Sequence, residues 1–218
     1  MNTRMLRAAS ALLISLCGCD LRQPPIGCPV QRYTWAARFV LKEGQSATPP
    51  CGTKAGERLG MQKYNVPETS ENTLVIKPFK LAALDAVDPS EPPYSLGALA
   101  DAAGPDGFCT APELSVARKV VPGTGMEIGY AWSQVRILAT PDAPGSQMLA
   151  DLSYTEGGCT AEYEVWAQWP AVSCGDGDGN PSDAICSEPG HALNPEFDSI
   201  CDPTQLRCVP AKRPPSFR

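Results

Sequence analysis

From Tyr33 to Leu41 the chain alternates with a period of two. Tyr33, Trp35, Ala37, Phe39 and Leu41 stand on one parity, with Thr34, Ala36, Arg38, Val40 and Lys42 on the other. Successive side chains of an extended strand point to opposite faces, so this pattern predicts a strand with one buried face. The same argument extends along the chain. Thr73 to Phe79 is rich in β-formers, and Ser115 to Val121 reads as another strand, ended by Pro122-Gly123. Met126 to Thr140 is long enough for one bent strand or two short ones, with Tyr130, Trp132, Gln134, Arg136 and Leu138 opposing Ala131, Ser133, Val135 and Ile137. Gln147 to Tyr154 and Thr160 to Trp169 follow, and Gly157-Gly158 supplies a hairpin turn upstream of the second.

Proline and glycine, 23 and 19 residues respectively, break the intervening segments into loops. Helix is scarce. Ser95 to Ala103 is the best candidate, with Ser95 as N-cap after Pro92-Pro93 and Gly104-Pro105 as the stop, and Lys80 to Val87 is expected to form a turn or two. Six or seven strands in roughly 140 residues predict an all-β chain, with residues 30–170 forming a β-sandwich-like domain and a barrel as the alternative. After Pro170 the composition shifts to Cys, Asp, Gly, Pro and Asn. Residues 171–218 hold too little apolar surface for an independent core, so they are expected to be a disulfide-held, mostly irregular appendage packed on the larger domain. A small hairpin across Cys201 to Cys208 is its expected regular element. Lys212, Arg213 and Arg218 lie in a Pro-rich tail that reads as a solvated, disordered end, with contact to anionic lipid as the alternative.

The N-terminus carries Arg4 and Arg7, no acid before Asp20, and an uncharged run from Ala8 to Leu16. This is the layout of a secretory signal, and the run is too short to span a bilayer. Leu16-Cys17-Gly18-Cys19 resembles the lipobox of bacterial envelope lipoproteins, in which an aliphatic residue, a small residue and Gly or Ala precede the modified cysteine. Cys17 stands where Ala, Ser or Thr is commoner. The resemblance implies removal of residues 1–18 and a diacylglyceryl group on the Cys19 thiol, usually with a third acyl chain on the new amino terminus. Cys17 is a competing site, but bulky Leu16 would then precede the cut. Two or three chains hold a protein on a membrane far more firmly than one. Asp20 resembles the signal that retains some lipoproteins in the inner membrane; the outer membrane is the other possible address. Residues 19–29 then form a tether, with Arg22 to Gly27 stiffened by Pro24-Pro25, and the nine steps from Cys19 to Cys28 reach at most about 30 Å.

Loss of Arg4 and Arg7 moves the formal charge from −6 to −8, a balance that argues against nucleic acid as a partner. Ten cysteines are present, and once Cys17 leaves and Cys19 is acylated, Cys28, Cys51, Cys109, Cys159, Cys174, Cys186, Cys201 and Cys208 remain. An even number in an exported chain points to disulfides, and the absence of any close C-x2-4-C pair among them argues against zinc. Spacing does not determine the connectivity. Pairing of near neighbours would join Cys28 with Cys51, Cys109 with Cys159, Cys174 with Cys186, and Cys201 with Cys208.

Few motifs carry chemistry. Asp176, Asp178 and Asn180 place oxygen ligands at alternate positions, as at the start of an EF-hand calcium loop. The pattern then fails, because Pro181 occupies the glycine position and Ser187 the twelfth, with an acid only at Glu188. A solvated turn within a disulfide loop is the simpler reading, and neither a metal nor any other cofactor is expected. His191 is the sole histidine and no G-x-S-x-G elbow or H-E-x-x-H helix occurs. Glu162 and Glu164 share one strand face with Trp166, a spacing open to an inverting glycosidase pair but ordinary for a solvated sheet face. Trp132 and Trp166 would form a stacking platform if exposed; otherwise Trp35, Trp132 and one of Trp166 or Trp169 fill the core. The expected function is that of a non-enzymatic, lipid-anchored envelope protein with a structural or protein-interaction role and an envelope protein as partner. A carbohydrate- or small-ligand-binding module is the alternative.

Overall fold

The computed structural model describes residues 27–65 and 71–218. The signal, the lipobox with Cys19, and the tether as far as Ile26 lie outside the described residues. The chain runs β1 (Tyr33–Leu41), β2 (Gly56–Asn65), β3 (Asn72–Pro78), α1 (Phe79–Leu84), β4 (Ser95–Leu99), β5 (Phe108–Glu113), β6 (Ala117–Val121), β7 (Met126–Leu138), β8 (Gln147–Glu156), β9 (Cys159–Gln168), β10 (Ser199–Asp202) and β11 (Arg207–Pro210). The all-β expectation holds. The first nine strands form a single antiparallel sheet in the order β4-β3-β2-β1-β9-β8-β7-β5, with β6 pairing the other half of β7. Its two ends approach each other, since the Ala100 amide donates to the Thr110 carbonyl at 2.9 Å and the Ser115 amide to the Leu96 carbonyl at 2.8 Å. The sheet is therefore nearly closed on itself, which is the barrel alternative rather than two facing sheets.

Eight strand positions enclose an interior that side chains can just fill, and here aromatics fill it. Trp35, Tyr130, Trp132, Tyr154 and Tyr163 are fully buried with Leu59, Leu74 and Ile76. Tyr130 and Trp132 stack at 6.2 Å between centroids, and Tyr154 meets Tyr130 edge-on at 5.0 Å. A bulge in β7 decides which residues reach this core. The β7–β8 register shifts between Ser133 and Arg136, and Gln134 has φ 49°. The extra residue switches the inward parity from Ile128, Tyr130 and Trp132 to Val135 and Ile137, all buried. The hairpin turn at Gly157 and Gly158, with φ of 60° and 81°, joins β8 to β9 as expected. Ser95 to Leu99 is strand β4, not the expected helix, because pairing with β3 from Ile76↔Ser95 to Asn72↔Leu99 overrides local capping signals.

An ionic plug closes the end of the barrel where β1 ends and β2 begins. Glu57 on β2 accepts from the Tyr130 hydroxyl and, at 3.0 Å, from the Lys80 backbone N–H of α1. Lys54 Nζ lies 3.2 Å from the same carboxylate and 5.1 Å from the Tyr154 ring centroid. Lys80 Nζ donates to Glu156 Oε1 at 2.7 Å and to the Tyr154 hydroxyl at 2.9 Å. Burial, reinforced by the carboxylates Glu57 and Glu156, pushes both phenols above their ordinary value. Burial alone would raise the Glu156 carboxyl, but hydrogen bonds from Lys80 and Tyr154 hold it below its usual range. Nearby, the fully buried Lys119 of β6 is wrapped by the segment after α1, pairing with Asp85 at 3.1 Å and donating to the carbonyls of Asp88 and Glu91.

The cysteines pair as Cys28–Cys109, Cys51–Cys159, Cys174–Cys201 and Cys186–Cys208. None of the near-neighbour pairings forms. β1 runs antiparallel to β9, so the loop after β1 brings Cys51 to the start of β9 and Cys159, not to Cys28. Cys201 and Cys208 face each other across β10–β11, yet each bonds to the irregular segment that precedes the hairpin. These two bridges join Phe108, Leu138, Leu193 and Phe197 in a second small core against the outside of the barrel.

The basic tail is also ordered, against the disordered end expected. The Ser216 amide donates to Gln147 Oε1 at 2.8 Å, Gln147 Nε2 donates back to the Ser216 carbonyl at 3.0 Å, and Phe217 packs edge-on to Phe197 at 5.7 Å. Lys212 and Arg213 pair with Asp198 and Glu164, and Arg218 donates to the Phe197 carbonyl, so these cations are engaged within the protein.

Peptide mapping without reduction is expected to recover these four interlaced linkages, and any near-neighbour pair would contradict the topology. Removing the Cys174–Cys201 bridge as a double serine variant should lower stability by about 3 to 4 kcal/mol through the loop it closes, seen as loss of the C-terminal segment to protease before the barrel. Glu57→Ala should cost about 3 kcal/mol, since Lys54 and the Tyr130 hydroxyl lose a buried partner. The depressed Glu156 carboxyl stabilises the fold fully above its unfolded value of about 4.3. That contribution disappears as pH falls through the lower folded value. Urea melts of Lys80→Met should show a flatter acid limb than the parent chain.

Candidate functional site

With aromatic side chains occupying the barrel interior, a concavity lies on the outside of β1 to β4. A groove of about 530 Å³ is lined by Tyr33, Tyr64, Tyr94, Val75, Leu96 and Lys77, among others. Cross-strand register builds it. Gln62 of β2, Val75 of β3 and Leu96 of β4 lie side by side, and the next row is Tyr64, Thr73 and Ala98. Gly60 contributes no side chain to the floor opposite Lys77. Tyr33 enters by a backbone reversal. It shares the parity of buried Trp35, but its φ of 81° turns the ring outward, where it is 72% exposed. Tyr64, Leu96 and Tyr94 are 50%, 44% and 37% exposed, an unusual concentration of large apolar surface on a small domain. Among the described residues no carboxylate lines the groove, and the ammonium that does, Lys77, has Asp85 at 3.7 Å.

Tyr64, Tyr94 and Leu96 are absent from the sites read in the sequence. β2 alternates too weakly to be seen as a strand, and Leu96 falls in the segment read as helix. The signal present in the sequence was the pair Tyr64 and Tyr94 in polar, Pro-rich surroundings, which period counting does not reach.

The sites that the sequence did suggest are dispersed. Trp35 and Trp132 are buried in the barrel, and Trp132 therefore takes no part in a surface platform. Trp166 is half-buried on the outer face, where its Nε1 donates to Glu164 Oε2 at 2.7 Å and the Arg38 guanidinium lies 5.5 Å from its ring. Glu164 also receives Arg213 Nε at 2.8 Å. Burial opposes ionisation of Glu164, but these two donors hold its carboxyl below the ordinary value. Glu164 is thus engaged by the C-terminal tail and by Trp166, while the Glu162 backbone bonds to Lys42 and Gln45.

Asp176 folds its carboxylate onto its own loop. Oδ1 accepts the amides of Asn180 at 2.8 Å and Asp178 at 2.9 Å, and the Asn180 amide leads the bonds that lower its pKa. That is the chemistry of a tight Asx turn. Among the described residues, the group of three or more potential ligands close enough to share an ion is Cys174, Cys186 and Cys208, all three of them in disulfides. His191 sits in the same loop region with Nε2 3.5 Å from the Glu188 carboxylate.

A family model, MlpA, matches residues 33–170, which run from the start of β1 to two residues beyond β9 and so span the whole barrel. The chain is similar to a protein of Myxococcus xanthus named "Putative lipoprotein MlpA", with 33% identity over 234 residues covering 100% of this chain and 98% of the relative. No solved structure matches. A match over the complete barrel, together with identity of this level along the full length, places the chain in the MlpA family of bacterial lipoproteins.

Proposed function

We propose that this protein is a non-enzymatic envelope component, attached to a bacterial membrane through acylated Cys19, that works by binding an envelope protein through the outer face of β1 to β4. The observation that carries the proposal is the exposed groove of Tyr33, Tyr64, Tyr94 and Leu96 on a barrel whose interior is occupied by buried aromatic side chains. Tyrosines present large, rigid, amphipathic contact area and are enriched where proteins meet. A short tether suits a partner held at the same membrane, since Cys28, tied to the barrel by its bridge to Cys109, stands nine residues after Cys19.

The alternative, a carbohydrate or small-ligand module, draws support from the groove's size. Its volume of about 530 Å³ lies within the few hundred to thousand Å³ typical of small-molecule sites, and tyrosine faces stack on sugar rings.

Two measurements test the proposal. Cys19→Ala should abolish acylation and release the chain from the membrane fraction, and an unchanged intact mass and membrane fractionation would refute anchoring at this thiol. Capture of the detergent-solubilised protein from its own cells is expected to recover one stoichiometric partner, whose purified form binds directly. Leu96→Asp with Tyr94→Ala should weaken that binding at least tenfold while leaving the four disulfides and the thermal midpoint intact. Binding to a glycan array with the same sensitivity to these substitutions, and no protein partner, would favour the alternative.

A further inference from the structure

The described chain begins at Gly27, and two cationic side chains, Arg32 and Lys63, line the surface beside that point. A shallow cavity of about 690 Å³ opens there, lined by Cys28, Val30, Arg32, Lys63, Tyr64 and Pro144 among others, and among the described residues no carboxylate lines it. The formal charge of the chain is −6, yet the described lining offers two cations, and Asp101, next to the Gly27 bridge partner Ala102, is engaged by Asn72 Nδ2 at 2.6 Å. Lys63 Nζ donates to the Cys28 carbonyl at 3.1 Å, which holds the ammonium beside the chain exit with further N–H groups to donate. The Arg32 guanidinium lies 5.3 Å from the Tyr33 ring centroid, and Arg32, Tyr33 and Tyr64 are all exposed.

This arrangement joins two chemistries that suit a headgroup layer. Cationic side chains bind phosphate oxygens, and tyrosines favour the boundary between acyl chains and water. Geometry supplies the partner. If Cys19 carries the acyl chains, as proposed above, the eight steps to Gly27 span at most about 29 Å when fully extended, so this recess is the part of the barrel tied nearest to the bilayer.

We infer that the recess around Gly27 is a docking site for the anionic headgroups of the membrane that holds the acyl chains. Arg32 and Lys63 bind headgroup phosphate, while Tyr64 sits at headgroup depth. The net acidity of the chain does not cancel this attraction, because charges more than about 8 Å away are largely screened at physiological salt. Docking of this kind would stand the β1–β4 groove upright, with Tyr64 at the membrane and Tyr94 at its far end.

The test uses the full acylated protein, purified from its own cells and placed either in detergent micelles or in vesicles of phosphatidylcholine with or without phosphatidylglycerol. Phenylglyoxal modification of Arg32 and acetylation of Lys63, read by mass spectrometry, are each expected to slow at least about fivefold in the anionic vesicles, the effect of roughly one basic group at a charged leaflet. Arg118, exposed on β6, should react equally in all three. Tyr64 should likewise resist iodination in anionic vesicles, and the double variant Arg32→Ala and Lys63→Ala, its disulfides and thermal midpoint unchanged, should lose that resistance. Equal reactivity in vesicles and micelles, on protein that carries the acyl mass and floats with the vesicles, would overturn the inference and leave anchoring intact. The same protection from millimolar inorganic phosphate in micelles would also overturn it, reducing the recess to an ion site. A protein that neither carries acyl groups nor floats would show that the anchoring itself had failed, and the inference with it.

Discussion

Closure of the sheet is the constraint from which the remaining architecture follows. Once the hydrogen bonds from Ala100 to Thr110 and from Ser115 to Leu96 bring β4 against β5, little strand edge among the described residues is left to pair with another chain, and eight strand positions leave a bore that side chains occupy. Trp35, Tyr130, Trp132, Tyr154 and Tyr163 take that space. The large aromatics that might otherwise form a ligand pocket are thereby committed to packing. What remains for recognition is the outer surface, and it is used unequally. Over β1 and β9 the C-terminal segment covers it, with Gln205 Nε2 donating to the Ala37 carbonyl and Ser199 to Gln168. Over β1 to β4 it stays open.

The polar devices of the molecule serve that closure. The Glu57, Lys54, Lys80 and Glu156 cluster caps one mouth of the barrel and ties α1 to β2 and β8. Buried ion networks are costly unless every member finds a partner. Here the tyrosine hydroxyls of residues 130 and 154 complete the set from within the core. The disulfides divide the same labour. Cys51–Cys159 lies at the plugged mouth, Cys28–Cys109 at the opposite one, and the remaining two hold a segment whose small core exists only against the barrel wall.

Strand content was legible because burial of one face leaves a period-two trace, as at Trp35, Ala37 and Phe39 or at Tyr163, Val165 and Ala167. Where the trace failed, a long-range term had taken over. Ser95 to Leu99 has the local marks of a helix start but gains its hydrogen bonds from β3. β2 lacks a clear alternation because Gly60, Gln62 and Tyr64 line an open groove rather than water or core alone. The bulge at Gln134 switches parity halfway along β7, something that no single periodic template describes. Disulfide pairing was illegible for a related reason. It follows from which strands become neighbours, and sequence distance carries little of that information. The site was the least legible part, since Tyr33 reaches the groove only by a backbone reversal and Leu96 only by strand pairing.

The Cys28–Cys109 bridge has a mechanical consequence. Gly27 and Cys28 precede β1, so tension drawn along the N-terminal residues would arrive first at the strand that pairs with both β2 and β9. Peeling β1 from its end would unzip two ladders one bond at a time, a mode that requires little force. The bridge diverts the load at Cys28 into β5, on the other side of the barrel path, before it reaches Tyr33. A pull on the tether is then divided between β1 and β5 instead of falling on β1 alone.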